Sequence, residues 1–141
     1  MPPLLVDSTS QIRNKVTDFI SAQFLNSYSS RLSVYPENLM AWMKEGDIRS
    51  AAGWRDKSKE ALFLEVYFDG YLDQHLKMHF PDIVDDSHVC EICALASTTN
   101  ISRKMFIELV RTLQSKNYKL ALFTATSQLR LFFKHVGLDI I

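Results

Sequence analysis

Residues 89–138, VCEICALASTTNISRKMFIELVRTLQSKNYKLALFTATSQLRLFFKHVGL, decide the fold of this chain. The apolar run at 88–95 predicts a buried strand, and a helix follows over about 102–116. A second strand follows at 120–124, then a helix at 127–135 that Gly137 closes in the usual C-cap place. Strands alternating with helices predict an α/β (α+β) fold with a mixed sheet covered on both faces. Between the first strand and its helix lie Ser97, Thr98, Thr99, Asn100, Ile101 and Ser102, followed by Arg103 and Lys104. A helix N-terminus offers unpaired N–H groups and a positive dipole end to an anion. Asn100 or Ser102 would equally stand there to cap the helix, so anion binding and capping are both open.

Upstream, apolar residues at Ile12, Val16, Phe19, Ile20, Phe24 and Tyr28 fall on one helical face and predict an amphipathic helix over 9–28, started by Ser8 or Ser10. Residues 39–44 and 48–55 flank Glu45-Gly46-Asp47 and read as a hairpin. ALFLEVYF, residues 61–68, reads as a strand buried on both faces. Residues 71–80 read as a helix stopped by Pro81.

At 141 residues and 47% hydrophobic, the chain suits one domain, 1–141, with one core. The formal net charge of zero gives no ground for a nucleic-acid partner or an anionic membrane surface. The distribution is uneven: residues 56–91 carry nine acidic and three basic side chains, whereas 101–141 carry seven basic and two acidic. That is either the ordinary charge of solvated helices or an anion-binding C-terminal half. MPPLLVDSTS is no signal peptide, and no run approaches ~18 apolar residues, so a cytoplasmic protein is expected.

Cys90 and Cys93 form a lone CxxC, but residues three apart on a strand point to opposite faces and cannot share an ion. His75 and His79 have a spacing that can hold zinc, yet no Glu adjoins the first and no third ligand is evident, so no metal is expected. Glu65 and Glu91 interrupt apolar strands, where a carboxylate is costly unless paired. Each is either a functional base or half of a structural pair with Arg49, Arg55 or Arg130.

The segments FLEVYFD, VCEICALAS and KLALFTATSQLRLFFKHVGL resemble the thermostable hemolysin family, most specifically in FTATSQLR. The likeness covers most of residues 19–138. Such proteins resemble in turn the GNAT acyltransferases and the autoinducer synthases, whose fold binds coenzyme A or S-adenosylmethionine where two central strands part. The resemblance implies a GNAT-like mixed sheet flanked by helices. It implies an N-acyltransferase-type ligand site for acetyl-CoA or acyl-CoA, with a small-molecule acyl donor and an amine acceptor. By position, Leu95 and Ser97 mark the splayed strand end, and Thr98, Thr99, Asn100, Ser102 and Arg103 the pyrophosphate loop. Thr124, Thr126 and Arg130 lie at the neighbouring strand's exit, and Glu65 and Glu91 become candidates for deprotonating the amine. The pattern breaks where relatives carry glycine and this chain Ile101, and where many GNAT enzymes carry a tyrosine and this chain Phe133. The chain ends at Ile141, short of the family's C-terminal β-hairpin, and so reads as a shortened or fragmentary member. A strand edge bared by that loss would be covered by a second copy, a homodimer. A non-catalytic ligand-binding module is the alternative. Direct membrane lysis fits poorly, because the polar face of the 9–28 helix offers only Arg13 and Lys15 as basic groups.

Overall fold

The computed structural model describes residues 3–7, 9–28, 35–62, 71–82, 85–98 and 103–122. Within them run β1 (Leu4–Val6), α1 (Arg13–Tyr28), β2 (Asn38–Lys44), β3 (Asp47–Asp56), α2 (Leu72–His79), β4 (Val89–Ser97), α3 (Arg103–Ser115) and β5 (Leu120–Leu122). The strands form one sheet in the order β1-β2-β3-β4-β5. Its first three junctions are antiparallel, and β4 with β5 is parallel. This is the mixed sheet that the alternation of strands and helices predicts.

Helix α1 begins at Arg13, four residues later than its apolar spacing suggests, because the preceding residues turn the chain out of β1. The Asp7 carboxylate accepts hydrogen bonds from the Thr9 amide and hydroxyl at 2.9 and 2.8 Å. Arg13 then reaches back, donating to the carbonyls of Pro36 at 2.8 Å and Glu37 at 3.0 Å, and so fixes the chain as it enters β2. The hairpin between β2 and β3 turns through Glu45 and Gly46, with φ of 53° and 84°. Two left-handed residues in a two-residue loop give the turn whose twist suits the flanking strands, and only Gly46 takes it without steric cost.

Two extra residues interrupt the ladders. Trp42 pairs with Ser50 and Met43 with Ile48, leaving Arg49 bulged from β3. Gly53 pairs with Ala94 and Trp54 with Ile92, leaving Cys93 bulged from β4. Such bulges bend a strand and re-aim its side chains.

Each face of the sheet has its own core. Val16 and Ile20 of α1 pack on Val6, Leu39, Ala41, Ala51, Ala94 and Ala96, a floor mostly of small residues. Leu109 and Leu113 of α3 pack on the other face, against Met40, Ala52, Trp54 and Cys90. Cys90 therefore lies beneath α3, while the Cys93 thiol contacts the Gly53 carbonyl at 3.8 Å; both are free thiols.

The far end of the sheet is tied by two polar groups. Asp56 accepts from the Ser58 amide at 2.8 Å, the Ser58 hydroxyl, and the Tyr118 hydroxyl at 2.8 Å. Burial alone would raise the Asp56 pKa, but these donors outweigh it and hold the carboxyl below its ordinary range. Lys57 donates its amide to Val89 at 3.0 Å, and its ammonium touches Asp73 at 2.6 Å and Asp86 at 2.9 Å. Burial works against that charge, yet the two carboxylates prevail and push its pKa up.

The expected strand at 61–68 lies mostly outside the described residues, as do the end of the 120–124 strand, the last helix and the question of a C-terminal hairpin.

Candidate functional site

Of the site residues expected from the sequence, Glu91, Leu95, Ser97, Thr98 and Arg103 fall among the described residues, the last four around the end of β4. Leu95 and Ser97 are the last half-buried residues of β4, Thr98 follows at the surface, and Arg103 opens α3. Glu65, Thr99, Asn100, Ile101, Ser102, Thr124, Thr126, Arg130 and Phe133 lie outside the described residues.

The polar groups at the strand end have partners in the sheet. The bulge at Arg49 turns that residue's carbonyl toward β4, where it accepts from the Thr98 amide at 3.0 Å. The Ser97 and Thr98 hydroxyls approach the same oxygen at 3.4 Å, and the Ser97 and Ser50 hydroxyls bond at 2.9 Å. These contacts fasten the end of β4 to β3 and leave the turn into α3 to begin beyond Thr98.

The first turn of α3 is basic, as is that of α1 with Arg13 and Lys15. It contains no acidic residue, and its exposed Arg103 and Lys104 stand at the positive end of the helix dipole. Cations there oppose the dipole by some tenths of a kcal/mol, so helix stability does not account for them. An anion between them and the helix N–H groups would satisfy both. The residues present thus suit a phosphate-bearing ligand at this end. The opposite side of α3 is fixed to the sheet: Met105, Phe106, Leu109 and Leu113 are buried, and the Trp42 indole N–H donates to Glu108 at 3.4 Å.

About 20 Å back along β4 from Ser97, at the rise of an extended strand, stands Glu91. It is 2% exposed and pairs in register with Arg55 of β3 on one side and Leu122 of β5 on the other. The Arg55 guanidinium, 6% exposed, lies 4.0 Å from the Glu91 carboxylate and 3.9 Å from that of Glu60. One arginine therefore stands between two carboxylates, and the structural-pair reading of Glu91 has its partner. The bulged Cys93 lies between Glu91 and the strand end; burial, ahead of the opposing influence of Arg55, pushes its thiol up to about 12.

Sequence reasoning proposed Glu91, Leu95, Ser97, Thr98 and Arg103 as site residues, and it offered Arg55 as one partner of Glu91 among three. It did not foresee the bulges at Arg49 and Cys93, for which a single sequence carries no compositional signal. The basic charge at the helix start was legible in the adjacency of Arg103 and Lys104.

With parallel β4 and β5, a bulged β4 and a helix rising from its end, the arrangement is that of the GNAT acetyltransferases. The chain belongs to the thermostable hemolysin family, whose model matches residues 6–141. Two solved structures share its fold. One is an aminoglycoside N-acetyltransferase, AAC(6')-Iy, in complex with CoA; it is 7% identical, with a TM-score of 0.54 over 98% of this chain and 87% of that one. The other is an integron cassette protein from the mobile metagenome of V. cholerae; it is 12% identical, with a TM-score of 0.56 over 100% of this chain and 88% of that one. Comparison with curated proteins gives no match. Among the described residues no helix is long and apolar enough to cross a membrane, and no three His, Cys, Asp or Glu side chains gather as a metal site.

Proposed function

We propose that this protein is an N-acyltransferase whose donor is acetyl-CoA or another acyl-CoA and whose acceptor is a small-molecule amine. The observation that carries the reading is the pair of exposed cations, Arg103 and Lys104, held against the dipole at the start of the helix that leaves β4. The likeness of fold to an acetyltransferase that was crystallised with CoA supports it.

In this reading Arg103, with the turn of Thr98, Thr99, Asn100 and Ser102, binds the pyrophosphate, and Leu95 and Ser97 border the arm that runs back along β4. Thr124, Thr126 and Arg130 border the acyl group from the neighbouring strand. When bound, the donor supplies an acyl carbon activated as a thioester. Glu91 or Glu65 takes the proton that the acceptor nitrogen must lose to attack that carbon. Main-chain N–H groups near Leu95 would donate to the thioester carbonyl oxygen, and as the C–N bond formed the C–S bond would break, releasing the carrier as a thiol that takes up the proton lost by the amine. The roughly 20 Å between Glu91 and Ser97 suits a long carrier gripped at one end and reacting at the other.

A second reading, a binding module without chemistry, is favoured by the Arg55 guanidinium 4.0 Å from Glu91, which gives that carboxylate a structural partner in the sheet. Thermal-shift titration with CoA, acetyl-CoA and S-adenosylmethionine, run beside a thiol-release assay over a panel of amines, separates the two. Binding raises stability by mass action, about 2.7 kcal/mol at a hundredfold excess over Kd. A shift with thiol release, both lost in Arg103→Ala, supports the enzyme; a shift without release supports the module. No shift with any of the three ligands refutes both. The reading includes a cytoplasmic homodimer, supported by the exposed Leu4 and Leu5 on β1, at one end of the sheet, and sedimentation tests the dimer.

A further inference from the structure

Helix α3 has an outward face that the sheet leaves uncovered. Its buried side is made by Met105, Phe106, Leu109 and Leu113, which turns Lys104, Ile107 and Arg111 outward at positions i, i+3 and i+7, with Arg103 beside them; all four are exposed. The helix's one acid, Glu108, is half-buried and accepts from the Trp42 indole at 3.4 Å. Lys116 and Lys119, both exposed, carry the positive charge past the helix end. Among the described residues none of these five cations forms an ion pair. Arg111 stands about 12 Å along the helix from Arg103, beyond the first turn where an anion at the helix start is held. A helix that binds a membrane surface needs several large apolar side chains beside its cations. This face has one, Ile107, ringed by charge, the pattern of a protein contact.

The complement is in the same chain. The segment from Tyr71 to Asp86 exposes Asp73, Asp82, Asp85 and Asp86, together with Tyr71 and Met78, the last 73% exposed. Asp73 and Asp86 share the single ammonium of Lys57, at 2.6 and 2.9 Å, so negative charge is left over. Asp82 and Asp85 form no ion pair among the described residues. With a formal net charge of zero, no overall repulsion keeps two copies apart.

We propose that two copies of this chain meet isologously, the α3 face of each lying on the acidic 73–86 segment of the other. This names the faces of the homodimer proposed above and rests on that reading. A two-fold axis makes the contact twice and closes it. Strand β1, with three residues, offers only about 10 Å of edge and does not define a dimer by itself. Arg103 and Lys104 are also the cations of the proposed donor site, so a second copy seated there competes with a phosphate-bearing ligand, and association and donor binding oppose each other.

The test is sedimentation velocity of the full chain at about 20 mM and about 500 mM salt. The expected result is a dimer whose Kd weakens at least about tenfold at the higher salt. Arg111→Glu and Asp82→Lys should each weaken it at low salt, and the two in one chain should regain part of the loss. Both side chains are exposed, and an unchanged Tm confirms that each variant folds. CoA at a concentration that raises Tm should favour the monomer, and a dimer unmoved by it would overturn the shared use of Arg103. A dimer that ignores salt and Arg111→Glu, and that Leu5→Lys dissolves, overturns this inference and leaves the homodimer standing on β1. A monomer at both salts overturns the two together.

Discussion

Replacing Gly53 by alanine tests how tightly the α1 face of the sheet is closed. Gly53 lies beside the bulge of β4, and a Cβ built on it would sit 2.6 Å from Cγ of Pro36, 3.0 Å from Cδ2 of Leu39 and 3.5 Å from Cβ of Ala94. The first contact is far inside van der Waals range, and Pro36 is poorly placed to retreat. Its ring is rigid, and its carbonyl and the next are held by Arg13 at 2.8 and 3.0 Å. The Leu39 side chain, itself 1% exposed, has no empty space to move into without disturbing Ala41 and Val6. A methyl forced into a closed core costs about 1–3 kcal/mol, which for a chain of this length lowers Tm by roughly 4–12 °C. Urea denaturation of Gly53→Ala, Pro36→Ala and the double variant measures it. Removing the proline ring should recover most of the alanine's cost, a coupling of about 1 kcal/mol or more. A Gly53→Ala variant within about 0.5 kcal/mol of the parent, or one whose cost is unchanged in the Pro36→Ala background, would refute this packing argument.

Other perturbations follow from the buried polar groups. Arg55→Leu removes the cation between Glu60 and Glu91 and should cost about 3 kcal/mol by chemical denaturation, with Glu91→Gln in the same chain recovering part of it; no cost would deny the pair. The Asp56 carboxyl is held below its unfolded value, so its stabilisation is present above the ordinary carboxylate pKa and is lost as pH falls through the folded one. Asp56→Asn should therefore flatten the decline of Tm below about pH 4, and an unchanged acid profile would count against it. Burial pushes both thiols up to about 12, leaving roughly one in ten thousand ionised at pH 8. Native protein should then react with a thiol reagent far more slowly than an exposed cysteine does, and prompt labelling of the buried Cys90 would contradict its burial.

The parts of the fold legible in the sequence were those where one local rule suffices. Glu45-Gly46 announced the hairpin, and the helix expected over 102–116 matches α3 to within a residue at each end. Strand β1 was missed because three residues are too few to show a period, and what makes Leu4–Val6 a strand is its pairing with residues 39–41. The reach of Arg13 to Pro36 and of Lys57 to Asp73 and Asp86 depends on segments that folding alone brings together. At the candidate site, Glu91 and Arg103 stood out in the sequence, since a carboxylate in an apolar strand and a cation at a helix start each defy a local rule. Geometry was not: the Arg49 bulge that draws off the Thr98 amide is set by register, which one strand's sequence does not encode.

Lys57 ties the beginning of the stretch between β3 and β4 to its end. The Lys57 amide meets the carbonyl of Val89, and its side chain grips Asp86 just short of the return. For a loop closed in this way the entropic cost grows only with the logarithm of its length, about 0.6 kcal/mol for each doubling. Grafting a peptide into the exposed turn at Pro81 should leave the strand register on either side undisturbed, which makes this the natural port for attaching a probe or a second domain.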